Sequence, residues 1–226
     1  MSRISVLDHG LVELIDHMGG DLRIVNAAQA SFDKTSETYE HREERILNSL
    51  IREEHGVPLE HVAFTFRLRL PLFLAAQFKK HRMSSWSEQS GRYDELEPLF
   101  YVPAEESVRV QVGKPMEYRF EQADPHVANL FRHNLCWANE VAWDMYQRAL
   151  SRGVAKEQAR LSLPVNTYTN VVWTMNLRAL FTFLRLRLDS HAQREAQVYA
   201  LAMESLAREV APDALSLWES YGRPKP

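Results

Sequence analysis

From Leu161 to Leu188 the chain reads "LSLPVNTYTNVVWTMNLRALFTFLRLRL": it contains no aspartate or glutamate, yet it carries Arg178, Arg185 and Arg187. Read as a helix, residues 164–188 are apolar on nearly every face, which makes the segment an interior element. A guanidinium buried there without a partner costs several kcal/mol. The counter-charge comes either from carboxylates elsewhere in the chain or from an anionic ligand, since the planar guanidinium fork suits phosphate oxygens. A second acid-free stretch lies between Glu60 and Glu88 and holds Arg67, Arg69, Lys79, Lys80 and Arg82.

The surrounding sequence supplies a fold of mixed class. "RISVLDHG" reads as a short strand ending in a turn at Gly10, and "SETYEHREERILNSLIREEHG" as a helix with Ile46, Leu47, Leu50 and Ile51 facing the core, closed by Gly56 and Pro58. In "HVAFTFRLRLPLF" the period becomes two: Phe64, Phe66, Leu68 and Leu70 alternate with Thr65, Arg67 and Arg69, the pattern of a half-buried strand. "LFLAAQFKKHR" is expected as a helix, the Ser- and Glu-rich run to residue 93 as a loop, and "PLFYVP" as a short strand. Residues 125–151 have helical period with Pro125 in the first turn. Residues 164–188 and "SHAQREAQVYALAMESLAREV" are expected as two further helices. Strands early and helices late predict an α+β class, with a mixed or antiparallel sheet and a helical C-terminal half. No Pro-, Gly- or Ser-rich linker divides the chain, so residues 1–226 are expected as one domain.

Several functions are disfavoured by composition. A net charge of −3 argues against a whole-surface attraction to nucleic acid or anionic lipid, so an anion site must be local. The N-terminus lacks a signal-peptide pattern and no run of about 18 apolar residues occurs. The expected compartment is the cytoplasm, with no membrane or nucleic-acid partner. The single cysteine, Cys136, excludes an internal disulfide and a CxxC site, and its apolar helical setting reads as a core position. His55 and His61 flank Glu60, but HExxH spacing is absent and no metal site is expected. Ser90 precedes Gly91 without a G-x-S-x-G elbow, which weakens a serine-hydrolase reading.

The chemistry concentrates in "KKHRMSSWSEQSGRY", residues 79–93. In an extended loop Glu88, Ser90 and Arg92 point to one side, offering an acceptor, a hydroxyl and a cation to a polar heterocycle bearing a phosphate; the plain alternative is a solvated cation cluster. Asn176 and Arg187 lie about three helical turns apart, and His191 one turn further if the helix continues, so these side chains can line one wall.

The run Lys80-His81-Arg82, then "MSSWSEQ", then Ser90-Gly91-Arg92-Tyr93, resembles the signature of the flavin-dependent thymidylate synthase family, Arg-His-Arg followed after seven residues by Ser. The likeness continues through "NAAQASFDK", "HGVPLEHVAFTFRLRLPLF", and "ARLSLPVNTYT" to "FLRLRLDSHAQREAQVYAL", in family order over most of the chain. It implies a homotetramer binding FAD and a uridine nucleotide at sites shared between subunits, with NADPH as reductant and methylenetetrahydrofolate as one-carbon donor. The implied activity is methylation of uracil carbon 5, converting dUMP to dTMP; an offshoot accepts UMP, as in polyoxin-type nucleoside antibiotic biosynthesis.

Carried over by position, the resemblance places Gln77, Glu88, Ser90, Gly91, Arg92, Arg160 and Arg187 around the nucleotide. Ser31, His55, Glu60, Lys80, His81, Arg82, Glu88, Asn176, Arg178 and His191 fall to the flavin and folate. Arg187 is expected to stabilise charge on the pyrimidine and Ser90 to position it, these two being the catalytic assignments. Five positions depart from the family pattern: Gln29 and Lys80 stand at arginine positions, Val57 at a frequent hydroxyl, Ser87 at an asparagine and Ala179 at a frequent serine. A pocket so edited leaves open a non-catalytic flavin- or nucleotide-binding protein.

Overall fold

The computed structural model describes residues 2–114 and 117–223. Arg3–Val6 (β1) and Gly10–Met18 (β2) form a hairpin, followed by helices Asp21–Gln29 (α1) and His41–Arg52 (α2) and the single turn Gly56–Leu59 (α3). Ala63–Pro71 (β3), Leu72–Phe78 (α4) and Ser84–Glu88 (β4) come next, then the separate hairpin Arg109–Val112 (β5) and Arg119–Gln122 (β6). Pro125–Ser151 (α5) and Lys156–Ala159 (α6) lead to Tyr168–Asn176 (β7), and Leu177–Arg187 (α7), Arg194–Arg208 (α8) and Pro212–Tyr221 (α9) close the chain.

The main sheet has the order β1-β2-β3-β7-β4 and every pairing is antiparallel. Because β3 and β4 both run antiparallel to β7, they are parallel to each other and need a crossover; α4 with the turn to residue 83 provides it. The alternation read in β3 holds: Phe64, Phe66, Leu68 and Leu70 are fully buried and Arg67 points outward. Against this inner face pack Leu74 and Phe78 of α4, Leu180, Phe183 and Leu184 of α7, and Tyr199, Met203 and Leu206 of α8. A side chain on Gly10 would collide with the Tyr199 hydroxyl, which donates to the Arg69 carbonyl, so only glycine lets β2 pass beneath α8.

The helix expected over 164–188 is two elements. Residues 168–176 are a central strand because Thr169, Val171, Val172, Trp173 and Thr174 are β-branched or aromatic and gain a ladder on both sides, from β3 and β4. A strand buried on its inner face between two neighbours has too little polar contrast to show its period. Residues 84–88, expected as loop, form the edge strand β4, whose Ser-rich face looks outward. "PLFYVP" contributes only an isolated bridge between Phe100 and Thr167. The early strand stops at Val6, and Gly10, expected in its closing turn, instead begins the antiparallel partner β2. Cys136, read as a core residue, is exposed, as is most of α5: only Ala128, Asn139 and Tyr146 of that helix are buried.

One long-range cap ties the N- and C-terminal parts together. Residue Ala211 has no side-chain oxygen to cap α9, and the carboxylate of Asp21 does so instead, accepting from the backbone N–H of Asp213 and of Ala214 at 3.0 Å each. Burial holds the Asp21 carboxyl above its ordinary value, against the lowering effect of these two bonds. Replacing Asp21 with alanine is expected to lower stability by about 1–3 kcal/mol, the usual range for losing a cap and stranding buried donors. Urea unfolding of the two proteins measures this, and an unchanged midpoint would refute the role.

Candidate functional site

The two acid-free stretches lie side by side, because β3 and β4 flank β7. Where α4 ends, the chain turns through Lys79, Lys80 and His81 before entering β4, and this turn faces the C-terminal end of α7. Arg187 Nη2 lies 3.3 Å from His81 Nε2. The imidazole packs edge-on against Phe183 at 5.0 Å between centroids and sits 6.4 Å from the ring of Trp173. Burial, and after it the charge of Arg187, pushes the His81 pKa down to about 4, so the ring is neutral. Arg187 is half-buried, its Nε is buried without a hydrogen-bond partner, and desolvation lowers its pKa.

Carboxylates from outside the two stretches answer part of the charge. Arg67 pairs with Glu13 at 3.1 Å, Arg178 with Glu60 at 2.6 Å and Arg185 with Glu54 at 3.6 Å; Lys79 pairs with Glu88. Arg178 and Arg185 are exposed rather than interior, which corrects the all-round burial read for 164–188. Arg69, Lys80, Arg82 and Arg187 have no carboxylate partner among the described residues. They are the cations left for a ligand.

Glu88 accepts from Trp86 Nε1 at 3.1 Å as well as from Lys79, which also sits over the Trp86 ring. Gln77 Nε2 donates to Gln193 at 2.7 Å. Beyond β4 the chain turns rather than extending: the N–H groups of Tyr93 and Asp94 both return to the Ser90 carbonyl, so Glu88, Ser90 and Arg92 do not share one side as an extended loop would have them. The turn seats Gly91 against Arg160, whose Cδ would lie 3.1 Å from a Cβ on the glycine, and Arg92 pairs with Glu157 at 3.2 Å. Ser90, Gly91, Arg92 and Arg160 thus form a second group.

A third group lines α7. Asn176 caps that helix, its Oδ1 accepting from the Ala179 N–H at 2.9 Å, which leaves its amide nitrogen and the second lone pair of Oδ1 for a ligand. Gly56 lies under Arg178, where a Cβ would come within 2.5 Å of Nε, and His55 is exposed beside it. The helix stops at Arg187, and His191 lies past it in a turn, its Nδ1 3.0 Å from Asp189 Oδ1. The His191 backbone N–H and then the ring hold the Asp189 carboxyl below its ordinary value. Two linked cavities, about 250 and 580 Å³, run along this face and share Arg185 and Gly222. Ser31 is exposed in the turn Ala30–Phe32 and joins none of these groups within one protomer.

The match that decides the family covers nearly the whole fold: the model for thymidylate synthase complementing proteins fits residues 13–213. The chain belongs to the flavin-dependent thymidylate synthase family. It is 37% identical over 217 residues to the flavin-dependent thymidylate synthase of Treponema denticola, covering 96% of this chain and 81% of that protein. With the Thermotoga neapolitana flavin-dependent thymidylate synthase it shares 40% over 210 residues, 93% of this chain and 91% of the relative. Among solved structures, a UMP/dUMP methylase, PolB from Streptomyces cacaoi, superposes with a TM-score of 0.88 bound with 5-Br UMP and 0.89 bound with 5-Br dUMP. Identities are 35% and 36%, covering 99% of this chain and 99% and 100% of those chains.

The residues present fit the family's flavin. The two cavities beside α7 are edged by the guanidiniums of Arg52, Arg178, Arg185 and Arg187, which suit a pyrophosphate, and the absence of a side chain at Gly56 leaves room for Arg178. Sequence reading gives Lys79 only as one of the clustered cations, and expects neither its contact nor that of Trp86 with Glu88, nor that of Gln193 with Gln77; Gln193 stands within "SHAQREAQ", two residues after the assigned His191, but nothing in its spacing marks the contact. Among the described residues no group of three or more His, Cys, Asp or Glu can hold a metal ion.

The lowered His81 pKa has a consequence for stability. A histidine whose folded pKa of about 4 lies below the ordinary value of 6.5 opposes folding once it must protonate, so the native protein loses stability as pH falls through that interval. A His81→Gln variant lacks this component. Urea unfolding at pH 7 and at pH 4.5 is expected to show the variant gaining on the wild type at the lower pH, and a gap independent of pH would refute the assignment.

Proposed function

We propose that this protein is an enzyme that methylates carbon 5 of a uridine nucleotide, dUMP to dTMP, with residues 1–226 acting as one catalytic domain. The observation that carries the reading is the Arg187 guanidinium, half-buried beside a neutral histidine, with no carboxylate and with its Nε unpartnered. A cation desolvated in that way is satisfied by a ligand that brings negative charge or carbonyl oxygens. When bound, FAD supplies hydride transfer, with NADPH as its reductant and methylenetetrahydrofolate as the one-carbon source.

In this reading Arg187 stabilises the electron density that moves onto the uracil ring, and it touches the substrate directly. Arg92 and Arg160 hold the nucleotide phosphate, Ser90 and the Gly91 backbone position it, and Gln77 and Glu88 take hydrogen bonds of its sugar and base. Lys80, His81, Arg82 and Ser31, with His55, Glu60, Asn176, Arg178 and His191, hold the flavin and the folate. The three groups are separate within one protomer, and α5 exposes Val127, Leu130, Phe131, Trp137, Val141 and Met145 along its length. Both facts support a homotetramer whose sites join side chains from different subunits. No helix among the described residues is long and apolar enough to cross a membrane, in keeping with a cytoplasmic enzyme.

A second reading takes UMP as a substrate alongside dUMP. It is favoured by the structural likeness over nearly the full chain to a methylase bound with both bromo-nucleotides. Anaerobic turnover with FAD, methylenetetrahydrofolate and reductant, given dUMP and UMP in parallel and read by product mass, separates the two. Formation of dTMP alone supports the first, and 5-methyl-UMP the second. A protein that binds FAD and nucleotide but yields neither product overturns both. Replacing Arg187 with alanine is expected to raise the dUMP KM by about 100-fold, the loss of two charged hydrogen bonds; unchanged kinetics would discard its role.

A further inference from the structure

The contact between Arg187 and His81 fixes more than the arginine. A guanidinium carries five N–H donors and no acceptor, so at 3.3 Å the imidazole Nε2 can only accept. Nε2 is then unprotonated, and a neutral ring must carry its proton on Nδ1. The ring is held in place by the edge contact with Phe183, and its backbone carbonyl by the Ser84 hydroxyl at 2.7 Å. Nδ1 is neither bonded to another described residue nor buried, so its N–H is open to a ligand.

We propose that Arg187 selects the Nδ1–H tautomer of His81, so that the ring presents a hydrogen-bond donor to an oxygen of the bound nucleotide or flavin, while Nε2 fixes the plane of the guanidinium. His81 is then a positioning residue and not a general acid or base. The proposal deepens the reading of Arg187 as the nucleotide-contacting cation and rests on it for its kinetic consequence. Fixing the guanidinium matters because a freely rotating arginine loses rotamer entropy each time it binds substrate.

Nitrogen-15 NMR of protein labelled at the histidine rings tests this directly, His81 being assigned by its loss in a His81→Gln variant. The expected result at neutral pH is a protonated Nδ1 and an unprotonated Nε2, with the bias lost in Arg187→Leu. A doubly protonated ring or an Nε2–H tautomer overturns the proposal. Adding dUMP and FAD separately shows which ligand moves the Nδ1 signal; movement by neither overturns the donor role. In kinetics, His81→Leu is expected to raise the dUMP KM by about tenfold, and His81→Gln, whose amide oxygen can replace Nε2 as acceptor, to restore it to within about threefold. Equal impairment of both variants, or of neither, counts against the pair. The NMR readout needs no turnover: an Nδ1–H tautomer together with normal dUMP binding in Arg187→Ala overturns the nucleotide reading while supporting the pair.

Discussion

The structure depends on the position of β7 between β3 and β4. That pairing sets the two acid-free stretches of the sequence against each other, with Phe66 opposite Trp173 and Trp86 opposite the same residue from the other side. The absence of acids in both stretches then has one explanation. Their inner faces form the core of the sheet, where a carboxylate has no water, and their ends form a cationic rim. An aspartate in either stretch would neutralise that rim or strand a charge in the core. The crossover through α4 follows from the same pairing, and it delivers Lys80, His81 and Arg82 to the end of α7.

Charge around the rim is divided rather than pooled. Arg67, Arg178 and Arg185 are answered by Glu13, Glu60 and Glu54, exposed pairs that contribute little to stability and leave those guanidiniums available for exchange with a ligand. Arg187 differs in kind: its environment is aromatic and its partner is an uncharged imidazole. A neutral acceptor orients the guanidinium without cancelling its charge, whereas a carboxylate in the same place would compete with the substrate. Keeping His81 neutral by burial is therefore part of keeping Arg187 electropositive.

How much of this was legible in the sequence follows from where each signal came from. The two-residue period of β3 and the long periodic run of α5 were plain, because one has a polar face to contrast with a buried one and the other a proline in its first turn. β7 was hidden by its own burial: with Val171, Trp173 and Met175 inside and Val172 apolar on the outer face, the alternation is lost and a helix reads as well. The cations were legible as a demand for counter-charge, but not which of them is answered internally, since Glu13, Glu54 and Glu60 approach from other elements. The family signature located most of the candidate side chains; the contacts that hold Glu88 and Gln77 arise from Lys79, Trp86 and Gln193, which carry no pattern in one dimension.

The five departures from the family pattern separate by location, and location decides what each can alter. Gln29 is buried, donates to Ser36 and leaves its Oε1 without a partner, in a network that continues from Ser36 to the buried Glu43. Glu43 is held below its ordinary carboxyl range, first by the Ser36 hydroxyl. This departure therefore acts on the packing of α1 against α2, and so does nothing directly at the Arg187 rim. Ala179 packs against the core at the start of α7, next in sequence to Arg178. Val57 and Lys80 are exposed and free to meet a ligand. Ser87 is the instructive case. It is adjacent to Glu88 in β4; strand alternation turns the exposed Ser87 and the half-buried Glu88 to different sides, yet both residues border one shallow depression with Arg67, Gln89 and Asn170. Of the five departures, Val57, Lys80 and Ser87 are therefore the ones placed at open surface where a ligand can meet them, whereas Gln29 and Ala179 act through the packing of the helices that carry them.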